Sequence, residues 1–495
     1  MNILVTAAEL YPFAKAGGLA DITYALAKAW AKMGHRVRIV IPKYQMINAA
    51  AYGLKPTRHV IGVPMGSWTE YARLWSGVLP GSSVPVTFLE NAEYYDRPGI
   101  YGAPEEFGDN DRRFLFLSRA VFEVARALNF LPEVIFANDF HTAMTMPFLK
   151  IHYRRSPYFQ GTAGVLSIHN IAFQGIYDPD RFLFLAQIPK SFFYPTSPFE
   201  FYGKVNVLKA GILFADKITT VSPRYAYEIR TTSLGMGLQS VLQQRAADLI
   251  GILNGVDYTE WNPATDEKIY FRYTPETLHL KRQNKLQYLK DHHLPDREVI
   301  EDIPLVGMVT RLTDQKGIPL LREALESLIT SLPLRFTLLG SGAWQYEEFF
   351  RYMARRYPAR VLVHIGYNEE LSHKIIAASD IYLMPSLYEP CGLTQMYALK
   401  YGTPPVVRFT GGLADTVREF LPETAEGTGF VFHRYDAGEM SWAIQRAVQL
   451  YYIKPLWEKL MHNAMKEDFS VEKSAQRYIE VFQWALDQKS AQQVG

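Results

Sequence analysis

Short apolar runs alternate along most of the chain with longer segments in which apolar residues recur every three or four positions. Short runs bounded by Gly, Pro, Asn or Asp predict buried strands, and the longer periodic segments predict amphipathic helices. Because strands alternate with helices, the pattern indicates the α/β class with parallel sheets in both halves of the chain. The predicted strands are Ile3–Ala7, Val37–Ile41, Val86–Leu89, Val134–Ala137, Gly164–Ile168, Lys217–Val221, Leu305–Val309, Arg335–Leu339, Arg360–His364, Ile381–Pro385 and Val406–Val407.

Three helix limits are marked by the sequence. The segment Leu19–Met33 is followed by Gly34, a residue favoured just after a helix. Asp109 stands where it can cap a helix that runs towards Leu128. The segment after Ser470 has one apolar helical stripe, which we expect to pack on the first domain: Ala475, Tyr478, Ile479, Phe482 and Leu486.

Length and charge exclude several classes of protein. At 495 residues the chain exceeds one ordinary core, so at least two domains are expected. With 52 Lys and Arg against 50 Asp and Glu, neither nucleic acid nor an anionic membrane is expected as the main partner. No apolar run reaches the roughly 20 residues of a membrane span. Met1 leads at once into a predicted strand and Cys391 is the single cysteine, which favours a cytoplasmic location. The oligomeric state is left open.

One short phrase occurs twice, as Gly-Gly-Leu-Ala-Asp at 17–21 and at 411–415. Each copy follows a predicted strand and opens a predicted helix. A glycine pair there lets the backbone approach a ligand, and the free N–H groups of the helix predict an anion site. The alternative for either copy is turn chemistry without a ligand.

Charged residues follow two predicted strands of the second half. Arg311 and Lys316 lie after Leu305–Val309, where two cations can bind a diphosphate; the alternative is a solvated basic loop. Glu389 follows Ile381–Pro385 and can accept hydrogen bonds from sugar hydroxyls. Cys391 is interpreted as a small packed residue, because no histidine neighbours it in the sequence.

Polar residues also follow two predicted strands of the first half. Asp139 and His141 come after Val134–Ala137, and His169 with Asn170 comes after Gly164–Ile168. Ends of neighbouring parallel strands meet at one edge of a sheet, which favours a common site. The Asp-x-Asp triplet 109–111 is interpreted as a helix start, so no metal site is predicted.

These motifs resemble the bacterial glycogen synthases and plant starch synthases of glycosyltransferase family 5. The resemblance spans nearly the whole chain, at 15–21, 139–141, 169–175, 221–223, 253–257, 311–317, 389–395 and 410–417. It implies a GT-B fold, two Rossmann-like domains facing a central cleft, with a C-terminal helix that crosses back. The implied limits are 1–257 for an acceptor domain, 258–469 for a donor domain and 470–495 for the crossover helix.

The resemblance also implies an activity and roles for residues. Glucose would pass from ADP-glucose, or from UDP-glucose, to the non-reducing end of an α-1,4-glucan or maltooligosaccharide, with retention of configuration and without a metal or other cofactor. The implied catalytic residues are Lys15, Asp139, His169, Arg311, Lys316 and Glu389. The implied donor-binding residues are Lys15, Gly17, Gly18, Asp21, Asn254, Arg311, Lys316, Cys391, Gly392, Leu393, Thr410, Gly411 and Gly412. The implied acceptor-binding residues are Asp139, His141 and Asn170.

Several alternatives stay open at this point. A related GT-B enzyme that uses a UDP-sugar and a small acceptor would share this architecture. A glucan-binding protein without activity is the non-enzymatic alternative, which the complete set of donor-site residues disfavours. Donor preference, acceptor length and association with glycogen or starch granules are not fixed by the sequence.

Overall fold

Two compact units make up the protein, described here from a computed structural model that covers residues 1–103 and 105–494. The first unit comprises Met1–Gly255 together with the segment from Val471 onward, and the second comprises Val256–Ser470. The predicted limits, after residues 257 and 469, are close to these boundaries. The assignment of one unit to the acceptor and the other to the donor stays a prediction.

A nine-stranded sheet forms the core of the first unit, in the order β12-β11-β7-β6-β1-β2-β5-β4-β3. A separate small sheet has the order β8-β10-β9. The strands are β1 Asn2–Thr6, β2 Arg36–Pro42, β3 Lys55–Met65, β4 Trp68–Val78, β5 Pro85–Glu90, β6 Val134–Asn138, β7 Ala163–Ile168, β8 Ile176–Tyr177, β9 Glu200–Phe201, β10 Lys204–Asn206, β11 Lys217–Thr220 and β12 Leu249–Gly251. The large sheet is parallel from β12 to β5, as the alternating pattern predicts.

Three strands of the large sheet were not predicted: β3, β4 and the short edge strand β12. β3 and β4 form an antiparallel hairpin that continues the sheet beyond β5. In both strands many positions are exposed, so the continuous apolar run that marks a buried parallel strand is missing. By contrast, all five residues of β6 and all six of β7 are buried, which explains why short apolar runs identified them.

Helices cover the sheet of the first unit. They are α1 Gly18–Lys32, α2 Ala92–Tyr95, α3 Asn110–Ala127, α4 Asp139–Ala143, α5 Thr145–Ile151, α6 Pro179–Ala186, α7 Val207–Phe214, α8 Pro223–Thr231 and α9 Gln239–Gln244. The predicted helix limits at 19–33 and at 109–128 agree with α1 and α3 within one or two residues. The order of strands reverses between β1 and β6, so a crevice is expected at the carboxyl ends of these two strands.

A six-stranded parallel sheet forms the core of the second unit, in the order β15-β14-β13-β16-β17-β18. Its strands are β13 Leu305–Val309, β14 Arg335–Gly340, β15 Val361–Ile365, β16 Ile381–Met384, β17 Pro405–Arg408 and β18 Phe430–Phe432. Its helices are α10 His279–Asp291, α11 Asp296–Ile300, α12 Ile318–Ser331, α13 Trp344–Arg356, α14 Glu369–Ala378, α15 Thr394–Lys400, α16 Gly411–Thr416, α17 Ala437–Tyr451 and α18 Lys454–Lys466. The strand order reverses between β13 and β16.

The last helix, α19 Val471–Val494, belongs to the first unit although it follows the second in the chain. Its buried stripe packs on the sheet: the rings of Tyr478 and Phe482 lie 5.4 Å from that of Phe136. The indole of Trp30 donates a hydrogen bond of 3.1 Å to the carbonyl of Ala475. The apolar stripe seen in the sequence therefore packs where it was expected to.

Candidate functional site

An ion pair lies at the point in the second unit where the strand order reverses. The ammonium of Lys316, which follows β13, is 2.7 Å from Oε2 of Glu389, which follows β16. The hydroxyl of Ser386 donates to the same oxygen at 3.0 Å. Only 17% of the Lys316 side chain and 6% of the Glu389 side chain are exposed. The Lys316 loop and the Glu389 loop, both identified in the sequence, therefore meet, and the two opposite charges stabilise each other in a largely buried place.

Arg311 supplies a second cation on the same loop. Its side chain is exposed, and its guanidinium makes no hydrogen bond or ion pair with any of the described residues, 1–103 and 105–494. The loop then closes at Gly317, whose φ is 77° and where a Cβ would lie 2.2 Å from the carbonyl oxygen of Pro385. Only glycine fits this contact between the two loops. Arg311 is therefore the exposed cation of this loop, and Lys316 is the largely buried one.

The glycine turn at 410–412 packs directly under the Glu389 loop. At Gly411, with φ of 44°, a Cβ would lie 1.9 Å from the carbonyl oxygen of Glu389, and at Gly412 it would lie 2.0 Å from that of Cys391. The amide of Gly412 donates to the Glu389 carbonyl at 3.1 Å. The sequence predicted outward-facing amides for an anion here; for Gly412 this is wrong, because that amide holds the neighbouring loop. Thr410, which precedes the turn, is 1% exposed.

A buried amide side chain supports the segment between Glu389 and α15. Nε2 of Gln395 donates to the carbonyls of Cys391 and Gly392, both at 3.0 Å. Cys391 is 5% exposed, in agreement with its interpretation as a packed residue. Gly392 has φ of 74°, and Leu393 occupies the position before the first residue of α15. The loop is therefore fixed from below by Gln395 and from the side by the glycine turn.

The first copy of the glycine phrase is built differently. The buried carboxylate of Glu9 accepts hydrogen bonds from the amides of Ala16 at 2.7 Å and Gly17 at 2.8 Å. A Cβ at Gly17 would meet nothing within 4 Å. The turn that precedes the helix is thus held by a carboxylate of the chain itself, whereas the predicted anion site concerns the N–H groups of the helix that begins at Gly18. The hydroxyl of Tyr101 donates to the other oxygen of Glu9.

Two further predicted donor residues flank that turn. Lys15 and Asp21 form an ion pair of 2.8 Å in which about a third of each side chain is exposed. Gly18 is the first residue of α1. Asn254 is 7% exposed, and its Oδ1 is buried without a hydrogen-bond partner among the described residues. A buried amide oxygen without a partner marks a position where an N–H or O–H group of a ligand could donate a hydrogen bond.

Asp139 and His169 lie at the ends of the paired strands β6 and β7. Oδ1 of Asp139 accepts from the backbone amides of His169 at 2.7 Å and Asn170 at 3.4 Å. Burial nevertheless raises the pKa of Asp139 to about 7, while these amides act in the opposite direction. Asp139 also has φ of 55°, a conformation that non-glycine residues rarely adopt and that is common at functional sites.

His141 and His169, the two histidines predicted for this site, are held neutral. Nε2 of His169 lies 2.8 Å from Oδ1 of Asn138, and burial lowers the pKa of His169 to about 3. The ring of His141 stacks on that of Tyr101 at 4.7 Å, and burial, followed by the charge of Arg113, lowers its pKa to about 3. Tyr101 therefore links His141 to Glu9 and to the glycine turn.

The Asp-x-Asp triplet is engaged in ion pairs. Asp109 precedes α3, but its carboxylate does not cap the helix; it binds Arg97 through two hydrogen bonds of 2.7 and 2.8 Å. Asp111 binds Arg181 at 2.8 Å. The capping role predicted for Asp109 is wrong for its side chain, because an arginine offers a stronger, charge-assisted partner.

Sequence reasoning missed Glu9, Tyr101 and two exposed rings. Glu9 lies just beyond β1, so the rule that ligands meet the carboxyl ends of strands could have found it. The rings are Trp344, after β14, and Tyr367, after β15, whose residues are 75% and 78% exposed. Exposed aromatic residues at the edge of a parallel sheet are the signal that would have identified them.

Two Rossmann-like units with charged groups at their switch points define a glycosyltransferase of the GT-B class. The family model "Starch synthase catalytic domain" matches residues 2–244, and the model "Glycosyl transferases group 1" matches residues 291–467. The chain belongs to the glycogen and starch synthase family. It is a glucosyltransferase of glycogen or starch synthesis, so the expected α/β fold class and the expected class of activity are confirmed, whereas the donor nucleotide, the retention of configuration and the absence of a metal stay predictions.

Similarity to individual proteins extends over the whole chain. The glycogen synthase of Pseudothermotoga lettingae is 40% identical over 99% of this chain and 100% of its own. That of Thermotoga maritima is 41% identical over 98% and 99%. The catalytic domain of starch synthase IV from Arabidopsis thaliana, bound to ADP and acarbose, superposes with a TM-score of 0.89 at 33% identity, covering 98% of this chain and 99% of that one. Within the described residues, no helix is long and apolar enough to cross a membrane.

Proposed function

We propose that the second unit binds ADP-glucose through its diphosphate and its glucose. The observation that carries the proposal is the Lys316–Glu389 pair, with Arg311 beside it, at the carboxyl ends of β13 and β16. The two cations would stabilise the departing diphosphate, and Glu389 would accept hydrogen bonds from the glucose. The exposed ring of Tyr367 at the same edge offers a face for adenine. The ADP ligand of the starch synthase IV structure supports adenine over uracil.

The acceptor, an α-1,4-glucan, is proposed to bind at the switch point of the first unit. Asp139, His141 and Asn170 lie there, with Glu9 and Tyr101 holding the glycine turn beside them. Neutral histidines and a carboxyl whose pKa lies near 7 form a site of low net charge, which suits a neutral sugar. Lys15 lies on the same turn, where it pairs with Asp21, and we propose that it contacts the donor.

Transfer is proposed to retain the α-configuration and to need no metal. Each carboxylate of the triplet 109–111 is held by an arginine, so neither is available to carry a metal–nucleotide complex. Charge on the leaving group is met instead by Arg311 and Lys316. With no unambiguous carboxylate nucleophile in the site, departure of the diphosphate and attack by the acceptor hydroxyl are proposed to occur on the same face of the glucose. A diphosphate oxygen would then help to remove the proton.

The decisive experiment follows product formation with both nucleotide sugars. Purified protein is incubated with maltoheptaose and either ADP-glucose or UDP-glucose, and nucleotide release and chain extension are measured. We expect faster release from ADP-glucose, and proton NMR of the first product should show a new α-anomeric signal. A faster reaction with UDP-glucose would overturn the donor proposal, a β-anomeric signal would overturn retention, and trapping of a glycosyl-enzyme on Asp139 or Glu389 would overturn same-face transfer.

A further inference from the structure

Four large apolar side chains are exposed together on the first unit, beside the small sheet. They are Phe173, Ile176, Tyr202 and Met236, whose residues are 51%, 46%, 87% and 38% exposed; we refer to them as the apolar strip. The segments 171–177 and 232–239, which carry three of them, contain no charged residue. Tyr202 lies between Glu200 and Lys204, whose charges are opposite. An exposed apolar surface without a net charge points to a partner that is itself uncharged.

The members of the apolar strip belong to one continuous surface. The ring of Tyr202 lies 4.8 Å from that of Phe201. Phe201 in turn touches the 235–237 turn, since a Cβ at Gly237 would lie 2.8 Å from its ring. Nε2 of Gln174 donates to the carbonyl of Met236 at 3.0 Å, which joins the turn to the segment that carries Phe173 and Ile176.

Tyr202 occupies a position that its side chain disfavours. Tyr202 and Gly203 form the two-residue turn between the paired residues Phe201 and Lys204, with φ of 49° and 77°. Such a turn favours Asn or Gly at both places, because φ is positive. A tyrosine that is 87% exposed gains little from packing there. Backbone strain kept without a packing gain indicates a function for the side chain.

Met236 repeats this feature on the neighbouring turn. Its φ is 49°, and it lies between Gly235 and Gly237, so the turn already contains residues that suit positive φ. Two adjacent turns thus each place a large apolar side chain at a strained, exposed position. The small sheet beneath is fixed by buried polar groups, including a hydrogen bond of 2.6 Å between Asn206 and Gln174. This hydrogen bond ties the small sheet to the segment that carries Phe173 and Ile176.

The apolar strip begins next to the proposed acceptor site. Asn170 forms a turn in which its carbonyl accepts from the amide of Phe173 at 3.3 Å and its Oδ1 accepts from the amide of Ala172 at 3.0 Å. A polymer whose end lies at Asn170 would reach the strip within a few sugar units. α-Glucans are neutral, and their rings present C–H faces that pack on aromatic and thioether side chains.

We propose that the apolar strip is an extension subsite that binds the α-glucan chain beyond its reacting end. The inference rests on the proposed acceptor site and adds the residues that favour long acceptors. Short acceptors would end before the strip and gain nothing from it. The charges beside the strip are one acid, Glu200, and one base, Lys204, and a surface with no excess of either sign argues against an anionic lipid or a charged peptide as the occupant.

The test replaces the strained residues by ones that suit the turns. Tyr202→Asn and Met236→Asn should keep or raise the Tm, because Asn tolerates positive φ. With ADP-glucose constant, the KM for maltoheptaose and for glycogen should rise about tenfold in Tyr202→Asn, the loss expected for one stacked ring, while the KM for maltotriose changes less than twofold. The control is Tyr71→Thr, which removes a tyrosine 63% exposed on β4 of the same unit and should leave all three KM values unchanged.

A binding measurement separates this inference from the proposed function. Retardation of the protein in gels that contain glycogen, without donor, should weaken for Tyr202→Asn and not for Tyr71→Thr. If the parent enzyme elongates maltoheptaose but Tyr202→Asn matches it in KM and retardation, the extension subsite is wrong and the proposed function stands. If the parent protein binds glycogen through Tyr202 but transfers no glucose from either donor, the proposed function fails and the subsite stands.

Discussion

Removing Lys316 should damage both the stability of the second unit and the reaction, and the two effects can be separated. Lys316→Met leaves the 6%-exposed Glu389 carboxylate with the hydroxyl of Ser386 as its one remaining side-chain partner among the described residues. At 2.7 Å the gross attraction is about 6 kcal/mol for an effective dielectric constant of 20. Breaking a buried pair typically costs about 3–5 kcal/mol. Because the Ser386 bond remains and Lys316 is 17% exposed, we expect about 2–3 kcal/mol.

The assay combines calorimetry with kinetics. For a unit of this size, 2–3 kcal/mol corresponds to a fall in Tm of roughly 5–10 °C. Loss of one cation at the leaving diphosphate should also lower kcat by about two to three decades, which corresponds to roughly 3–4 kcal/mol. Lys316→Arg should restore little of the rate, because a planar guanidinium cannot replace a point charge in this contact.

The double variant Lys316→Met/Glu389→Gln provides the control. It removes the unpaired charge, so most of the lost Tm should return, whereas kcat should stay low because both groups are needed for transfer. Recovery of activity together with stability would refute the catalytic role of the pair. An unchanged Tm in Lys316→Met would refute the argument that Glu389 depends on Lys316 for its charge.

Three further outcomes are expected. Activity should survive EDTA, because Arg311 and Lys316 carry the leaving charge; loss on chelation with recovery by magnesium would refute this. If the reaction needs ionised Asp139, kcat/KM should fall as the pH drops below the pKa of Asp139, about 7. The Asp139→Asn variant should be slow at every pH, and its kcat/KM should not change with pH in this range. Because that pKa is raised, the carboxyl itself favours folding at low pH, and this contribution is lost as pH rises from about 4 to 7. His141, whose pKa is lowered to about 3, acts in the opposite direction: the stability that it contributes above pH 6.5 should fall by about 2 kcal/mol between pH 7 and pH 5. Thermal melts of His141→Phe should lack this loss. Equal losses of stability in both proteins would contradict the argument.

The parts of the fold that are buried on both faces could be predicted from the sequence. Strands such as β6 and β7 consist of residues that are all buried, so an unbroken apolar run is enough to identify them. The β3–β4 hairpin could not be found in this way. It contains Pro56, Pro64 and Gly77, its positions alternate between exposed and buried, and its stability comes from pairing with β5.

The candidate site also has residues that could be predicted from the local sequence and contacts that could not. The rule that ligands meet the carboxyl ends of parallel strands led to Asp139, His169, Arg311 and Glu389, because strand ends can be read locally. The use of the glycine amides could not be read, since it depends on distant partners. The hydroxyl that binds Glu9 belongs to Tyr101, 92 residues away, and no local pattern joins the two.

The contact between the glycine turn at 411–412 and the Glu389 loop has a consequence for protein engineering. Each glycine faces a carbonyl oxygen of residues 389–391 at a distance that admits no side chain. Segments from related enzymes are often exchanged one loop at a time to alter donor choice. Here the two segments share one surface, so a chimera that imports residues 386–395 without 408–413 would combine backbones shaped for different neighbours. The two stretches must be exchanged together, although the 12 residues 396–407 separate them in the chain.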